Sequence, residues 1–346
     1  MAKRIVAIYD RGIDKNLMQG FDVLEKYGYE LTLVEKTVNE DELAYQNSML
    51  SVEVNGPDGT PINEEVFQYL DDVEIIITHF APVSRRMIEA AKNLKIIATL
   101  RTGMENINME AAKERRIKVI NAPGRAAVAV ADFTVAAMLC EIRNIARTDE
   151  DIKTGGWTKK YPNRTYSDNM CNLKVGLVGF GDIGRKIATR LKGFGTTILA
   201  YDPYCTKESI EAFGCVPVSL DELLEQADFV SLHVRLSPQT QNMFGAAEFA
   251  KMKPTAIFVN AARAGLVDEA AMIDALEQKK IGGAVLDVFR EEPLPVDHPL
   301  RKLKNVTLSA HLAGTDIGTF SGSIKIVADN LEQYFSGGEL KNVVNH

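Results

Sequence analysis

The chain has 346 residues, 46% hydrophobic and 25% charged, which is apolar material for two globular cores rather than one. Its 40 basic and 47 acidic side chains leave a net charge of −7, which argues against a nucleic-acid partner. Cys140, Cys171, Cys205 and Cys215 are scattered with no C-x-x-C pair, and no leader-like or long apolar run follows Met1. The expectation is therefore a reduced, soluble, cytoplasmic protein with no disulfide framework, no metal and no membrane partner.

Short apolar runs alternate with amphipathic stretches. Strands are predicted over 4–9, 30–34, 74–78, 95–100 and 118–120, with helices over 16–27, 63–70, 84–91 and 109–115 between them. This alternation predicts a parallel sheet covered by helices. Residues 126–153 contain no Gly or Pro and read as one long helix. Its first half is apolar nearly all round, which predicts burial at a domain or subunit interface. Gly155 and Gly156 end it, and a polar connection over 158–172 carries Pro162 and Asn163. A second series then begins, with strands over 174–178, 197–201, 215–218, 229–234, 256–260, 283–288 and 306–308. Helices over 183–193, 220–226 and 269–279 fall among them, and a last helix is predicted over 317–334. The expected fold is α/β, with two doubly wound parallel-sheet domains (Rossmann-like or flavodoxin-like) and a cleft between them.

The strand over 174–178 runs into Gly179, Gly181 and Gly184, a G-x-G-x-x-G pattern opening a helix. A strand before and a helix after are the context in which this pattern binds a dinucleotide. Gly179 permits the tight turn, Gly181 lets backbone approach a pyrophosphate, and Gly184 allows close packing of helix on strand. Asp182 and Ile183 open the helix, whose free N–H groups and positive dipole end suit the phosphates. The next strand ends at Asp202, near the spacing expected of an acid that binds the adenosine ribose. A carboxylate there accepts from both ribose hydroxyls and repels a 2′-phosphate, selecting NAD over NADP. The structural alternative is a surface Asp opening a turn before Pro203.

Three later strand ends carry charge: Arg263 after one, Asp287 and Glu292 after the next, His311 after the last. In open α/β sheets, ligands bind outside the carboxyl ends of the strands. Singly, each residue has a bland reading: a structural histidine, an arginine capping a strand end, a solvated loop acid. As an ordered set after the glycine fingerprint they read as catalytic. His79, His233, His298 and His346 read as structural, although His79 falls at a strand end near the expected cleft.

Together with the Arg101–Asn106 loop and the Asn121–Gly124 segment, these motifs resemble the D-isomer-specific 2-hydroxyacid dehydrogenases, on the phosphoglycerate dehydrogenase-like side. The resemblance covers most of the chain. It implies an NAD-dependent enzyme that moves a hydride between NAD(H) and a small D-2-hydroxy acid or 2-oxo acid. It also implies that His311 is the acid/base, that Glu292 holds and charges its ring, and that Arg263 binds the substrate carboxylate. Backbone N–H groups at Thr102 and Gly103 would clasp the same carboxylate, Ala262 would line the cofactor, and Asp287 would orient the nicotinamide amide. Ala310 stands where the family usually has Pro and Ala264 where it usually has Gly, so the backbone beside the catalytic groups departs from the family pattern.

By the same resemblance the substrate domain is discontinuous, 1–121 plus 318–346, with the NAD domain over 122–317, and the protein is a homodimer through the long helix. Arg85, Arg86, Arg101 and Arg125 offer a site for 3-phosphoglycerate or a related sugar acid, or are solvated. No regulatory extension follows the last helix, so a long allosteric form is not expected. The alternatives are an NAD-binding co-repressor and a formate- or phosphite-type dehydrogenase.

Overall fold

The structure is a computed structural model that describes residues 3–36, 48, 51–52 and 55–345; Met1, Ala2 and His346 lie outside the described residues. The chain divides into two compact units, Met1–Arg125 with Asp316–His346, and Ala126–Thr315. It therefore crosses between them at 125/126 and 315/316, against 121/122 and 317/318 expected from sequence.

The first unit holds strands β1 (Lys3–Tyr9), β2 (Tyr29–Glu35), β3 (Val73–Thr78), β4 (Ile96–Thr99) and β5 (Lys118–Ile120), in the spatial order β2-β1-β3-β4-β5. Every ladder is parallel. Side chains alternate between the two faces of a strand, and here both faces are apolar. Ile5, Ala7, Ile75, Ile77, Ile96 and Ala98 face one core with Phe21, Leu24, Ile324 and Leu331. Val6, Ile8, Ile76, Ile97 and Val119 face the other with Val66, Met87, Ile88 and Ala111. Each such Val, Leu, Ile, Phe or Met side chain contributes roughly 1.5–3 kcal/mol on burial, so two-sided coverage outweighs local propensity in fixing the strands. The helix Ile317–Phe335 closes one face.

The second unit holds β6 (Lys174–Val178), β7 (Thr197–Tyr201), β8 (Val216–Pro217), β9 (Phe229–Leu232), β10 (Ile257–Asn260), β11 (Gly283–Leu286) and β12 (Val306–Leu308). Their order is β12-β11-β10-β9-β6-β7-β8, again all parallel. The order reverses direction about β6, the topological switch point at which this sheet type binds ligands. The same alternation splits Val175, Leu177, Ile257 and Val259 from Val178, Val230, Phe258 and Leu286.

Three expectations need correction. The stretch over 126–153 is two helices, Ala127–Ile142 and Ile145–Lys153, broken at Asn144 with φ +56°. Asn tolerates the left-handed region, and the amide of Asn144 donates to Asn163 Oδ1 at 2.7 Å, while Asn163 donates to the Glu141 carbonyl at 2.8 Å. The helix predicted over 16–27 is an α-turn, Lys15–Met18, followed by the 3₁₀ segment Gln19–Tyr27; that over 63–70 is the 3₁₀ segment Glu64–Tyr69. Two short helices, Lys207–Glu211 and Ala246–Lys251, were not anticipated. No described helix is long and apolar enough to cross a membrane.

Glu141 is buried at the break. It accepts both Arg147 Nη2 contacts at 2.9 Å and the Thr307 hydroxyl at 2.6 Å, and burial raises its pKa despite these partners. Replacing Arg147 by Met leaves a buried carboxylate with only a hydroxyl, which is expected to cost about 3 kcal/mol, read from the urea midpoint. A loss below about 1 kcal/mol would show that the ion pair does not hold this corner.

Candidate active site

In the second unit, β6 delivers the chain to Gly179 at φ +98°. A Cβ there would lie 2.7 Å from the carbonyl carbon and oxygen of His233, so both the turn and the packing require glycine. A Cβ on Gly184 would lie 2.5 Å from the Gly179 carbonyl oxygen, which brings the helix Asp182–Lys192 tight against the turn. Around Gly181, by contrast, a Cβ would meet nothing within 4 Å. No side chain caps this helix N-terminus. Open space over Gly181, free N–H groups and the dipole end together fit a pyrophosphate. Asp182 lies in the first turn with Lys186 at 3.4 Å, and Ile183 packs on the core beneath.

Asp202 follows β7. Its Oδ2 accepts from the Phe180 N–H at 2.7 Å and its Oδ1 from the Tyr204 N–H at 2.8 Å. Each oxygen keeps a lone pair, so the carboxylate is both fixed and able to accept ribose hydroxyls.

The charged set gathers at the carboxyl ends of β10, β11 and β12. His311 Nδ1 lies 2.8 Å from Glu292 Oε2, and Glu292 Oε1 accepts from the Phe289 N–H at 2.9 Å. The Glu292 hydrogen bond and charge raise the His311 pKa above its ordinary value, outweighing burial and the opposing charge of Arg263; Asp287 acts in the same direction as Glu292. For Glu292, burial alone would raise the pKa, but His311, the Phe289 N–H and Arg263 bring it down. The pair is thus biased toward imidazolium and carboxylate.

Arg263 is exposed, with Nη1 donating to the Ala262 carbonyl at 2.7 Å. Buried Asn260 pins this loop, accepting from the Ala262 N–H and donating to the Arg263 carbonyl, both at 3.0 Å. Ala264 opens a 3₁₀ turn without a positive φ, so Gly is not required there. The other departure, Ala310, precedes a real anomaly: His311 has φ +54°. That conformation costs a bulky residue about 1–2 kcal/mol and persists only where surroundings impose it.

Asp287 is hydrogen-bonded to residues on both sides of His311. Only 1% exposed, it accepts from Ser309 Oγ (2.6 Å), the Leu312 N–H (2.9 Å) and the Ala313 N–H (2.9 Å). Sequence reasoning gave this carboxylate to the nicotinamide amide and missed its local role. Ser309, two residues before the histidine, was the available signal.

Thr102 and Gly103 belong to the first unit, on the loop after β4. Asn121 donates to the Thr102 carbonyl at 2.7 Å, and the Thr102 hydroxyl reaches the Ala122 carbonyl at 3.4 Å. His79, at the end of β3, is buried: Nδ1 sits 3.0 Å from Asp10 Oδ2, and Arg125 Nη1 lies 3.4 Å from Nε2. Burial lowers the His79 pKa against the pull of Asp10, so the ring is neutral, with Nδ1 donating to the carboxylate.

Arg85 pairs with Glu114 at 2.6 Å and Arg86 with Glu64 at 2.6 Å, while Arg101 lies 3.7 Å from Glu105 and stacks 3.9 Å over Phe80. His233 contacts Ser231 Oγ at 2.8 Å, and burial pushes its pKa down to about 3. His298 faces Glu269 at 3.4 Å. Among the described residues no group of three or more His, Cys, Asp or Glu could hold a metal ion.

Comparison with known proteins follows the same lines. The profile of the D-isomer specific 2-hydroxyacid dehydrogenase NAD-binding domain matches residues 135–313. A D-3-phosphoglycerate dehydrogenase of Methanocaldococcus jannaschii is 38% identical over 82% of this chain, but the chain spans only 53% of it, about half its length. A glyoxylate reductase of Korarchaeum cryptofilum is 36% identical over 82% of this chain and 86% of its own. The structure of an NAD-dependent formate dehydrogenase from Staphylococcus aureus in complex with NAD superposes with a TM-score of 0.72. Its identity is 26%, over 99% of this chain and 98% of that one. With a matching profile over just over half of its length and such relatives, the chain belongs to the D-isomer specific 2-hydroxyacid dehydrogenase family, and its cofactor is NAD.

Proposed function

We propose that this protein is an oxidoreductase that interconverts a small D-2-hydroxy acid and its 2-oxo acid. The observation that carries this reading is the 2.8 Å contact between His311 and Glu292, with the Arg263 charge beside both. NAD(H), when bound, supplies or accepts the hydride. His311, charged through Glu292, donates a proton to the carbonyl oxygen in reduction and takes it back from the hydroxyl in oxidation. Arg263 binds the substrate carboxylate and polarises the adjacent carbonyl. Gly179, Gly181, Asp182, Ile183 and Gly184 cradle the pyrophosphate, Asp202 the ribose, and Ala262 lines the nicotinamide side.

Arg85, Arg86 and Arg101 already face carboxylates, so these three need no substrate phosphate for neutralisation, while Arg125 lies against His79 Nε2 and the Ser323 hydroxyl. This favours acids of the size reduced by the glyoxylate reductases over phosphorylated ones. We further propose a cytoplasmic homodimer formed across the Ala127–Ile142 and Ile145–Lys153 helices, where Val128 and Ile145 are exposed. A monomeric mass by light scattering at micromolar concentration would refute the dimer.

Replacing His311 by Ala should lower turnover by ~10²–10⁴ while leaving the NADH dissociation constant nearly unchanged. Loss of NADH binding instead would make His311 structural. Reduction needs protonated His311, so its rate should hold at low pH and fall as pH rises through a midpoint above the ordinary value of about 6.5. In Glu292→Gln that midpoint should move down; an unmoved limb would remove Glu292 from the mechanism. Asp202→Ala should narrow the preference for NAD over NADP by about tenfold, the equivalent of one charge-assisted hydrogen bond. An unchanged ratio would contradict the ribose assignment.

A further inference from the structure

The resemblance assigns the Asp287 carboxylate to the cofactor amide, yet most of its accepting capacity is already used within the chain. An ionised carboxylate offers about four lone-pair sites. Three are taken by Ser309 Oγ, the Leu312 N–H and the Ala313 N–H, and these donors bracket His311 on both sides in sequence. His311 is the residue among them with a left-handed φ, of +54°. Ser309 is tied back as well, its N–H donating to the Leu286 carbonyl at 3.0 Å. Asp287 itself is anchored to the sheet, its N–H donating to the Asn260 carbonyl at 3.0 Å. Asn260 also pins the Arg263 loop. One short chain of hydrogen bonds therefore joins the bases of the loops that carry Arg263 and His311.

We infer that Asp287 is a positioning residue: its carboxylate holds the 309–313 loop in the left-handed turn that presents the His311 imidazole to Glu292. The inference rests on the reading of His311 as the acid of the reaction. Two features make it a charge-dependent role rather than generic packing. A buried carboxylate needs donors, and here each oxygen has a backbone N–H that can only donate. An asparagine of the same shape therefore turns its NH₂ toward an N–H in either orientation, and the loop loses its clamp. Removing the Ser309 hydroxyl takes away one of the three donors, the one that shares Oδ1 with the Leu312 N–H, and so loosens the clamp in part.

The test compares wild type, Asp287→Asn and Ser309→Ala. Steady-state reduction is measured with NADH and with its analogue in which an acetyl group, lacking N–H, replaces the carboxamide. The inference predicts that Asp287→Asn lowers kcat by ~10²-fold with the KM for dinucleotide within ~3-fold, and by the same factor with both dinucleotides. Ser309→Ala should show a smaller loss of ~3–10-fold, again equal for the two. A loss seen with NADH that vanishes with the acetyl analogue would overturn the inference and return Asp287 to the amide. The His311 ring titration, followed by NMR without substrate, gives a second readout. In Ser309→Ala its midpoint should move down toward the ordinary histidine value, and an unmoved midpoint overturns the positioning role even if Asp287→Asn does not fold. Wild type that turns over no 2-oxo acid would refute the dehydrogenase reading, while the titration still decides whether Asp287 positions the ring.

Discussion

All strands within each sheet run parallel, and the placement of the chemistry follows from that constraint. A parallel sheet sends each chain back across its face by a crossover, so all carboxyl ends lie along one edge. In the second unit this single fact collects Gly179, Asp202, Arg263, Asp287 and His311 at the edge, although they span more than a hundred residues of sequence. Two-sided burial makes the sheet rigid enough to hold them: Val175 and Leu177 point one way, Val178 and Val230 the other, and neither face is left to solvent.

On that edge the balance of charge decides the chemistry. Glu292 and Asp287 both favour the protonated imidazole, and Arg263 opposes them. The 2.8 Å hydrogen bond outweighs the more distant guanidinium, so the histidine is held ready to give a proton while a cation stays near enough to bind an anionic substrate. The buried His79 has the opposite outcome with a similar partner. It too contacts a carboxylate, Asp10 at 3.0 Å, yet full burial and the nearby Arg125 and Arg101 leave it neutral. Partial exposure of His311 is what lets its carboxylate win.

Much of this was readable in the chain, and what was not has a common cause. The strands were legible because alternation is local: Ile5 and Ala7 against Val6 and Ile8 need no distant information. The glycine loop was legible because its geometry is imposed by neighbours in sequence. The break at Asn144 was not, since it depends on Asn163 and Glu141 closing an amide network that spans twenty-two residues. Arg85 and Arg86 looked available because their partners Glu114 and Glu64 lie far along the chain. The left-handed His311 was hidden for the same reason, its cause being a carboxylate twenty-four residues earlier.

The most direct test of the account follows one atom. With NADH carrying deuterium at the transferable position of the nicotinamide and glyoxylate or hydroxypyruvate as acceptor, the account predicts deuterium bonded to the hydroxyl-bearing carbon of the product acid. The labelled product should fall by ~10²–10⁴ when His311→Ala is used over the same interval. NADH that binds with ordinary affinity while no acceptor acquires the label would contradict the assignment of this edge to hydride transfer between dinucleotide and acid.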